Sequence, residues 1–253
     1  MRTLSLPNIP ALPTTSTEAL RPMGLGESLL YFGLPTLLLY GATHLGIPFL
    51  NAALELPLLV CWFIAGGAVF AVLLVSAFVC YRNDGHPWEV GALIDRFGLA
   101  RPTWRVVGWS LLGMVVIGGL MVGIVELGKR FVPGYTPQPP FMAVTPLGLD
   151  DWWLLLAWLP LFSLNILGEG LFWRGYIFPR QRLAFGRATW LVHAGCWTLF
   201  HLPFGFGMIS AALPILVFVP YLVQKTKSNW PDLIIHGVLN GTGFILVVLG
   251  IVQ

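Results

Sequence analysis

Three small groups of polar side chains interrupt the long apolar segments in the second half of the sequence. They are Glu169 with Arg174, His201 with His193 and Trp197, and His236 with Asn240. A carboxylate and an imidazole can act as general bases, and imidazole and amide N–H groups can stabilise a developing oxyanion. A charged group near the centre of a bilayer costs at least about 2.5–3.5 kcal/mol on insertion scales, so such groups usually line a cavity and have a function. Together the three groups indicate an enzyme.

The first group contains the only charged residues of its apolar segment, in the sequence Gly168-Glu-Gly-Leu-Phe-Trp-Arg-Gly175. Glu169 has the chemistry of a general base held in a wet cavity. In a regular α-helix, residues five apart lie about 140° from each other around the axis, so an ion pair between Glu169 and Arg174 on one face is not expected. The alternative is a hydrated Glu169 near the membrane interface, with Arg174 extended towards the headgroups.

The histidines of the second half fall on two helices at four-residue spacings. His193, Trp197 and His201 share one face of their helix, and His236 shares a face with Asn240. Each group has a structural alternative, because membrane histidines are often hydrogen-bonded packing residues and polar pairs can clasp helices together. His193 is interpreted as structural, whereas His201, His236 and Asn240 are predicted to belong to a site.

The elements that carry these residues are predicted to cross a membrane. The chain is 57% hydrophobic and 10% charged, whereas soluble domains carry roughly 25% charged residues. A spanning helix needs about 20 apolar residues. Segments of sufficient length are residues 28–54, 56–81, 106–125, 152–178, 188–224 and 233–252. Pro203, Gly205 and Gly207 divide the fifth segment in two, so an all-α, polytopic transmembrane bundle of about seven helices is predicted.

The basic residues between these segments predict the orientation, because Arg and Lys accumulate on the cytoplasmic side. One side holds Arg2, Arg21, Arg82, Arg96, Arg101, Arg105, Arg180, Arg182, Arg187, Lys225 and Lys227, and the other holds Lys129 and Arg130. The N terminus is therefore predicted to be cytoplasmic and the C terminus external. The same distribution accounts for the net charge of +3, so membrane lipid is an expected partner and nucleic acid is not.

Two regions are predicted along the chain. Residues 1–26 are rich in Pro, Ser and Thr and are expected to form a flexible cytoplasmic tail. Residues 27–253 are expected to form a single transmembrane domain, with the polar groups of the candidate site between about 150 and 250.

The polar groups resemble the motifs of the CAAX prenyl protease and Abi family of intramembrane glutamic proteases. These motifs are Glu-Glu-x-x-x-Arg, then Phe-x-x-x-His, then His-x-x-x-Asn or Asp. The matching residues here are Glu169 with Arg174, Trp197 with His201, and His236 with Asn240. The resemblance covers roughly residues 150–250, and the first 150 residues resemble the family only in being apolar.

The resemblance implies a role for each motif residue. Glu169 and His201 would activate a water molecule, His236 and Asn240 would polarise the scissile carbonyl and hold the oxyanion, and Arg174 would organise the first motif. The reaction would be peptide-bond hydrolysis at or within the membrane, without a covalent intermediate.

The sequence departs from the family motifs at two positions. Trp197 replaces the Phe of the second motif, which conserves an aromatic side chain. Gly170 replaces the second Glu of the first motif, and so removes a carboxylate. Because the first Glu is the residue expected to activate water, hydrolysis remains the expectation.

No cofactor is expected, since the family resemblance favours metal-free catalysis. A zinc site formed by Glu169, His201 and His236 is the alternative, because two histidines and a carboxylate can hold a catalytic zinc ion. No His-Glu-x-x-His pair is present.

The predicted function is an endopeptidase acting on a membrane-associated peptide or protein, in a bacterial inner membrane. The alternative is a catalytically silent family member that serves as a subunit, assembly factor or immunity factor of a larger membrane protein complex, which the loss of a carboxylate at Gly170 would favour. A transporter is a third class, but the sequence shows none of the repeat symmetry common in transporters.

Overall fold

The computed structural model of the protein describes residues 20–142, 148 and 151–251. All regular elements in this part of the chain are helical. The α-helices are α1 (Leu25–Gly41), α2 (Ile47–Leu54), α3 (Leu58–Asn83), α4 (Val90–Arg96), α5 (Trp104–Phe131), α6 (Trp153–Glu169), α7 (Phe178–Phe185), α8 (Thr189–His201), α9 (Gly205–Thr226) and α10 (Trp230–Val248). Two wider π-helical segments, Ala42–Gly46 and Gly170–Ile177, join α1 to α2 and α6 to α7.

Five helical stretches within the described residues are long and apolar enough to cross a membrane. They are Leu25–Leu54, Leu58–Asn83, Trp104–Phe131, Trp153–Thr226 and Trp230–Val248. The prediction of an all-α, polytopic bundle is confirmed, and the chain is an integral membrane protein. The predicted number of seven helices is not confirmed, because the fourth stretch is a continuous helical path of 74 residues. Short 3-10 turns at Gly186–Ala188 and Leu202–Phe204 divide that path.

The outer faces of the helices are apolar, as a lipid environment requires. On α5, more than half of the surface of Leu112, Val115 and Val122 is exposed. The interior is aromatic: the ring of Phe32 on α1 stacks on Trp173 with 4.2 Å between the centroids. Trp173 also contacts Phe200 on α8 edge-on, at 5.4 Å. These contacts hold α1, α8 and the second π-helical segment around one core.

A close approach between α3 and α6 positions the start of the candidate site. Gly168 faces the backbone of α3, and a Cβ atom on Gly168 would lie 2.6 Å from the carbonyl oxygen of Phe70. Only glycine allows the two helices to come this close, because real Cβ atoms do not approach other atoms within 3.0 Å. Because Gly168 packs against α3, the adjacent Glu169 is held close to that helix.

The predicted N-terminal tail is described only in part. Residues 1–19 lie outside the described residues. In the remainder, the side chain of Met23 is buried and its backbone N–H donates to the carbonyl of Arg180 at 3.2 Å. Helix α1 begins at Leu25, and Arg21 forms an ion pair with Glu27 at 3.0 Å.

Gly168→Ala is expected to lower the stability of the bundle. The added methyl group has to push α3 away from α6, and overpacking of this kind costs about 1–3 kcal/mol. Thermal unfolding in detergent measures the loss. Gly119→Ala on α5 is the matched control, since a Cβ atom there meets no other atom within 4 Å, and it should leave the melting temperature unchanged or slightly raised. Equal melting temperatures for the two variants would contradict the tight α3–α6 contact.

Candidate active site

Glu169 is the last residue of α6, and its buried carboxylate has a hydrogen-bond donor at each oxygen. Asn165, one turn earlier on α6, donates from Nδ2 to Oε1 at 2.7 Å. Trp197 on α8 donates from Nε1 to Oε2 at 2.5 Å. The residue is 1% exposed, and a buried carboxylate without such partners would be strongly destabilising. The two donors fix the direction of the carboxylate between α6 and α8.

Trp197 is the side chain around which the predicted site residues assemble. The guanidinium carbon of Arg174 lies over its indole face, 3.4 Å from the ring centroid. The imidazole rings of His201 and His236 lie roughly perpendicular to the indole, with centroids 5.5 and 5.6 Å away. Together with its bond to Glu169, these contacts make Trp197 a common neighbour of four predicted site residues. A Phe in this position could provide the ring contacts but no hydrogen bond to the carboxylate.

His201 is the last residue of α8, and its hydrogen bonding determines which ring nitrogen is available for chemistry. Its Nδ1 lies 2.9 Å from the backbone carbonyl oxygen of Trp197. Because a carbonyl oxygen can only accept, Nδ1 must carry the proton of this bond. In the neutral imidazole, Nε2 is then the nitrogen with the free lone pair. The residue is half-buried, so this nitrogen belongs to a side chain that is less enclosed than Glu169.

Asn240 and Asn165 connect Glu169 to the surface of the bundle. Asn240 is exposed on α10, and its Nδ2 donates to Oδ1 of Asn165 at 3.0 Å. Asn165 in turn donates to Glu169. Since an amide nitrogen carries two hydrogens, Asn240 keeps a second N–H for another acceptor. The result is a continuous polar path from the surface to the buried carboxylate.

Arg174 lies in the π-helical segment that follows Glu169. In a π-helix the backbone hydrogen bonds join residues five apart, so the angular offset expected for a regular α-helix does not apply here. The ion-pair partner of Arg174 is Asp232 at the start of α10, with 3.2 Å between Nε and Oδ1 and both side chains fully buried. This ion pair connects the first motif, which contains Arg174, to α10, the helix that carries the third motif.

The backbone carbonyls of the π-helical segment are bound by side chains from the end of α4 and from the residue before α10. Asn229 donates to the carbonyl of Gly170 at 2.8 Å. Arg96 donates to the carbonyls of Gly175 and Tyr176, at 2.6 and 3.4 Å. Burial, and then the neighbouring charge of Arg180, lower the pKa of Arg96 to about 10, so Arg96 remains charged at neutral pH. Such external partners stabilise a helical form that is otherwise rare.

Two residues of this cluster, Asn165 and Asp232, were not among the predicted site residues. Asn165 lies four residues before Glu169, and Asp232 lies four residues before His236. The Nδ1 atom of His236 is 4.0 Å from Oδ1 of Asp232. A search for polar residues one helical turn from each motif residue would have found both.

His193 takes part in a different set of contacts, which connects three helical elements. Its Nδ1 lies 2.7 Å from Oε1 of Gln181, and Gln181 donates from Nε2 to Ser28 at 3.0 Å. The rings of Phe32 and Phe178 meet the imidazole edge-on. These packing contacts agree with the structural role that the sequence predicted for His193.

No group of three or more His, Cys, Asp or Glu residues within the described ranges is arranged to hold a metal ion. Metal-free catalysis nevertheless stays a prediction.

A cavity of about 270 Å³ lies beside the cluster, and its wall includes Arg174, Arg96 and Asn229.

The hydrogen bond between Trp197 and Glu169 is expected to couple the two residues energetically. Trp197→Phe keeps a ring for Arg174 but leaves Oε2 of the buried carboxylate without its donor, which costs about 1–3 kcal/mol. Unfolding free energies of Glu169→Ala, Trp197→Phe and the double variant measure the coupling, which should exceed about 0.5 kcal/mol. Additive effects would contradict the bond. Trp190→Phe is the control, because the ring of Trp190 packs against Tyr221 instead.

Residues 151–242 match the family model described as "Type II CAAX prenyl endopeptidase Rce1-like". No curated protein and no solved structure shows a significant match to the chain. The matched region extends from just before α6 into α10, and it contains all five predicted site residues. The match confirms the resemblance inferred from the three motifs, and residues 151–242 are similar to the CAAX prenyl protease family.

Proposed function

We propose that the protein is an intramembrane endopeptidase that hydrolyses a peptide bond with a water molecule activated by Glu169 and His201. The observation that carries the proposal is the convergence on Trp197 of a buried carboxylate and a half-buried imidazole with a free Nε2. The family match supports this type of activity for residues 151–242.

Both groups can accept a proton from water. An ionised carboxylate has about four lone-pair sites, of which Asn165 and Trp197 use two. The remaining sites of Glu169 and the lone pair of His201 Nε2 are available to a water molecule between them. The water oxygen attacks the carbonyl carbon of the peptide while its proton passes to one of these bases. The same proton then moves to the leaving amine as the C–N bond breaks.

The oxyanion that forms in this step needs hydrogen-bond donors. His236 offers a ring N–H, and Asn240 offers the amide hydrogen that is not bound to Asn165. Donors of this kind stabilise the tetrahedral intermediate more than the planar carbonyl of the substrate. Asn240 is connected to Glu169 by hydrogen bonds through Asn165, so this donor and the base are held in one arrangement, and His236 lies on the same helix.

We further propose that the substrate is a membrane-associated peptide or protein. Asn240 is exposed and His201 is half-buried, so a substrate would approach from their side of the cluster. The distribution of basic residues supports a cytoplasmic N terminus and an external C terminus. A bacterial inner membrane is the proposed location. We propose no cofactor.

Glu169→Ala is expected to abolish cleavage. Loss of a general base lowers kcat about 10²- to 10⁴-fold. The measurement compares wild type and variant, purified in parallel, on a library of membrane peptides. Glu126→Ala is the control, because Glu126 is an exposed carboxylate on α5 and its loss should leave the rate unchanged. Cleavage should also survive a zinc chelator.

Two results would contradict the proposed protease. Cleavage retained in Glu169→Ala would exclude this residue as the base. If neither wild type nor variant cleaves any peptide and both bring down the same stoichiometric partner, the chain is the catalytically silent subunit of a membrane complex.

Asn240→Ala is expected to lower kcat about 10²- to 10³-fold with little change in KM, because the lost N–H acts on the transition state. Steady-state kinetics on the best peptide of the library test this outcome. Asn51→Ala is the matched control, since Asn51 is an exposed amide whose Nδ2 donates to the carbonyl of Leu56. An increase in KM alone would assign Asn240 to substrate binding instead.

A further inference from the structure

Asp232 is a buried carboxylate whose role none of the family motifs explains. It lies in the first turn of α10 and is fully buried. Its Oδ1 is 3.2 Å from Nε of Arg174 and 4.0 Å from Nδ1 of His236. Neither Asp232 nor Arg174 makes a side-chain hydrogen bond in the part of the chain that the structure describes. The neutralisation of each buried charge therefore depends mainly on the other.

Asp232 occupies the space next to the position where the first motif has lost its second carboxylate. A Cβ atom built on Gly170 would lie 3.0 Å from Oδ2 of Asp232 and 2.8 Å from Cδ2 of Leu233. A Glu side chain at position 170 would thus begin in tight contact with the carboxylate of Asp232. Two carboxylates in one buried place repel each other strongly. Asp232 therefore fits in this position because residue 170 is a glycine and not a glutamate.

We propose that Asp232 supplies, from α10, the carboxylate that the family motif supplies from its second Glu, and that it positions His236. This inference rests on the proposed function as far as His236 is concerned. The first motif of the family supplies two carboxylates. Here the two are Glu169 and Asp232, and Asp232 comes from a different helix, α10. The departure at Gly170 is then a relocation of charge and not a loss of it.

The position of Asp232 also determines which nitrogen of His236 is available to the substrate. The carboxylate lies beside Nδ1, where it favours a proton on that nitrogen, and a shift of about 1 Å would turn the contact into a hydrogen bond. Carboxylates beside a functional imidazole commonly fix its proton and ring orientation in this way. Nε2, on the other side of the ring, can donate to the oxyanion when the imidazole carries both protons, a form that the negative charge of Asp232 favours. Asp232 is therefore a positioning residue.

The relocation can be reversed by a pair of substitutions. Asp232→Ala is expected to lower kcat about 10- to 100-fold with KM nearly unchanged, and to lower the melting temperature by roughly 10 °C because Arg174 loses its partner. Gly170→Glu in the same chain restores a carboxylate beside Arg174. The space left by Asp232 accepts the new side chain, and Cδ2 of Leu233 is the end of a flexible side chain that can turn away. The double variant should recover most of the melting temperature and at least about tenfold in kcat.

The single variants and a control complete the experiment. Gly170→Glu alone should be less stable than wild type, because its carboxylate meets Asp232. Asp95→Ala removes an exposed carboxylate on α4 and should change neither the melting temperature nor kcat. Asp232→Asn keeps the size of the side chain and should lose activity as Asp232→Ala does.

Each failure has a distinct meaning. A double variant no more stable than Asp232→Ala would overturn the relocation. Recovery of the melting temperature without any recovery of kcat would show that Asp232 only neutralises Arg174, and would overturn its positioning role. If wild type cleaves no peptide while the double variant recovers the melting temperature, the relocation stands and the proposed protease function is the part that fails.

Discussion

The need to neutralise a guanidinium group in the middle of an apolar bundle determines much of this structure. Removing a charge from water costs several kcal/mol even after the surroundings relax, and Arg174 is fully buried. Two contacts offset that cost: the carboxylate of Asp232 and the indole face of Trp197. Because these partners come from α10 and α8, the single charge fixes the position of both helices against the segment that carries Glu169. His201 and His236 contact the same indole ring edge-on.

The π-helical segment between α6 and α7 makes this arrangement possible at some cost in backbone hydrogen bonding. Its wider turn changes the direction of Arg174 relative to Glu169, and its carbonyls are bound by Asn229 and Arg96. Both of these residues lie outside the apolar spans, in segments that show no catalytic motif. Helix α4 and the connection between α9 and α10 therefore help to support the site. The charge of Arg96 has a structural role that is separate from its contribution to membrane orientation.

The sequence was sufficient to predict the residue types of the site, the membrane environment and the family, because apolar helices leave few polar residues to choose from. It was not sufficient for the relations between helices. The angle between Glu169 and Arg174 around the helix axis was predicted for a regular α-helix. No local sequence pattern indicated the π-helix. Asp232 was not predicted because it immediately precedes the last apolar segment, residues 233–252, and so falls outside the predicted span. The division of residues 153–226 into spans depends on turns whose angles proline and glycine allow but do not determine.

These relations bear on how a departure from a catalytic motif should be interpreted. In its amino-acid sequence the first motif has lost a carboxylate at Gly170, and this loss favours an inactive protein. In terms of charge, however, the buried Arg174 still has a carboxylate partner in Asp232, and the missing side chain at position 170 leaves room for it. A buried cation requires an anion in a particular volume and not at a particular position in the sequence. On the proposed relocation, the motif is a constraint on charge around Arg174, which a residue on α10 satisfies here.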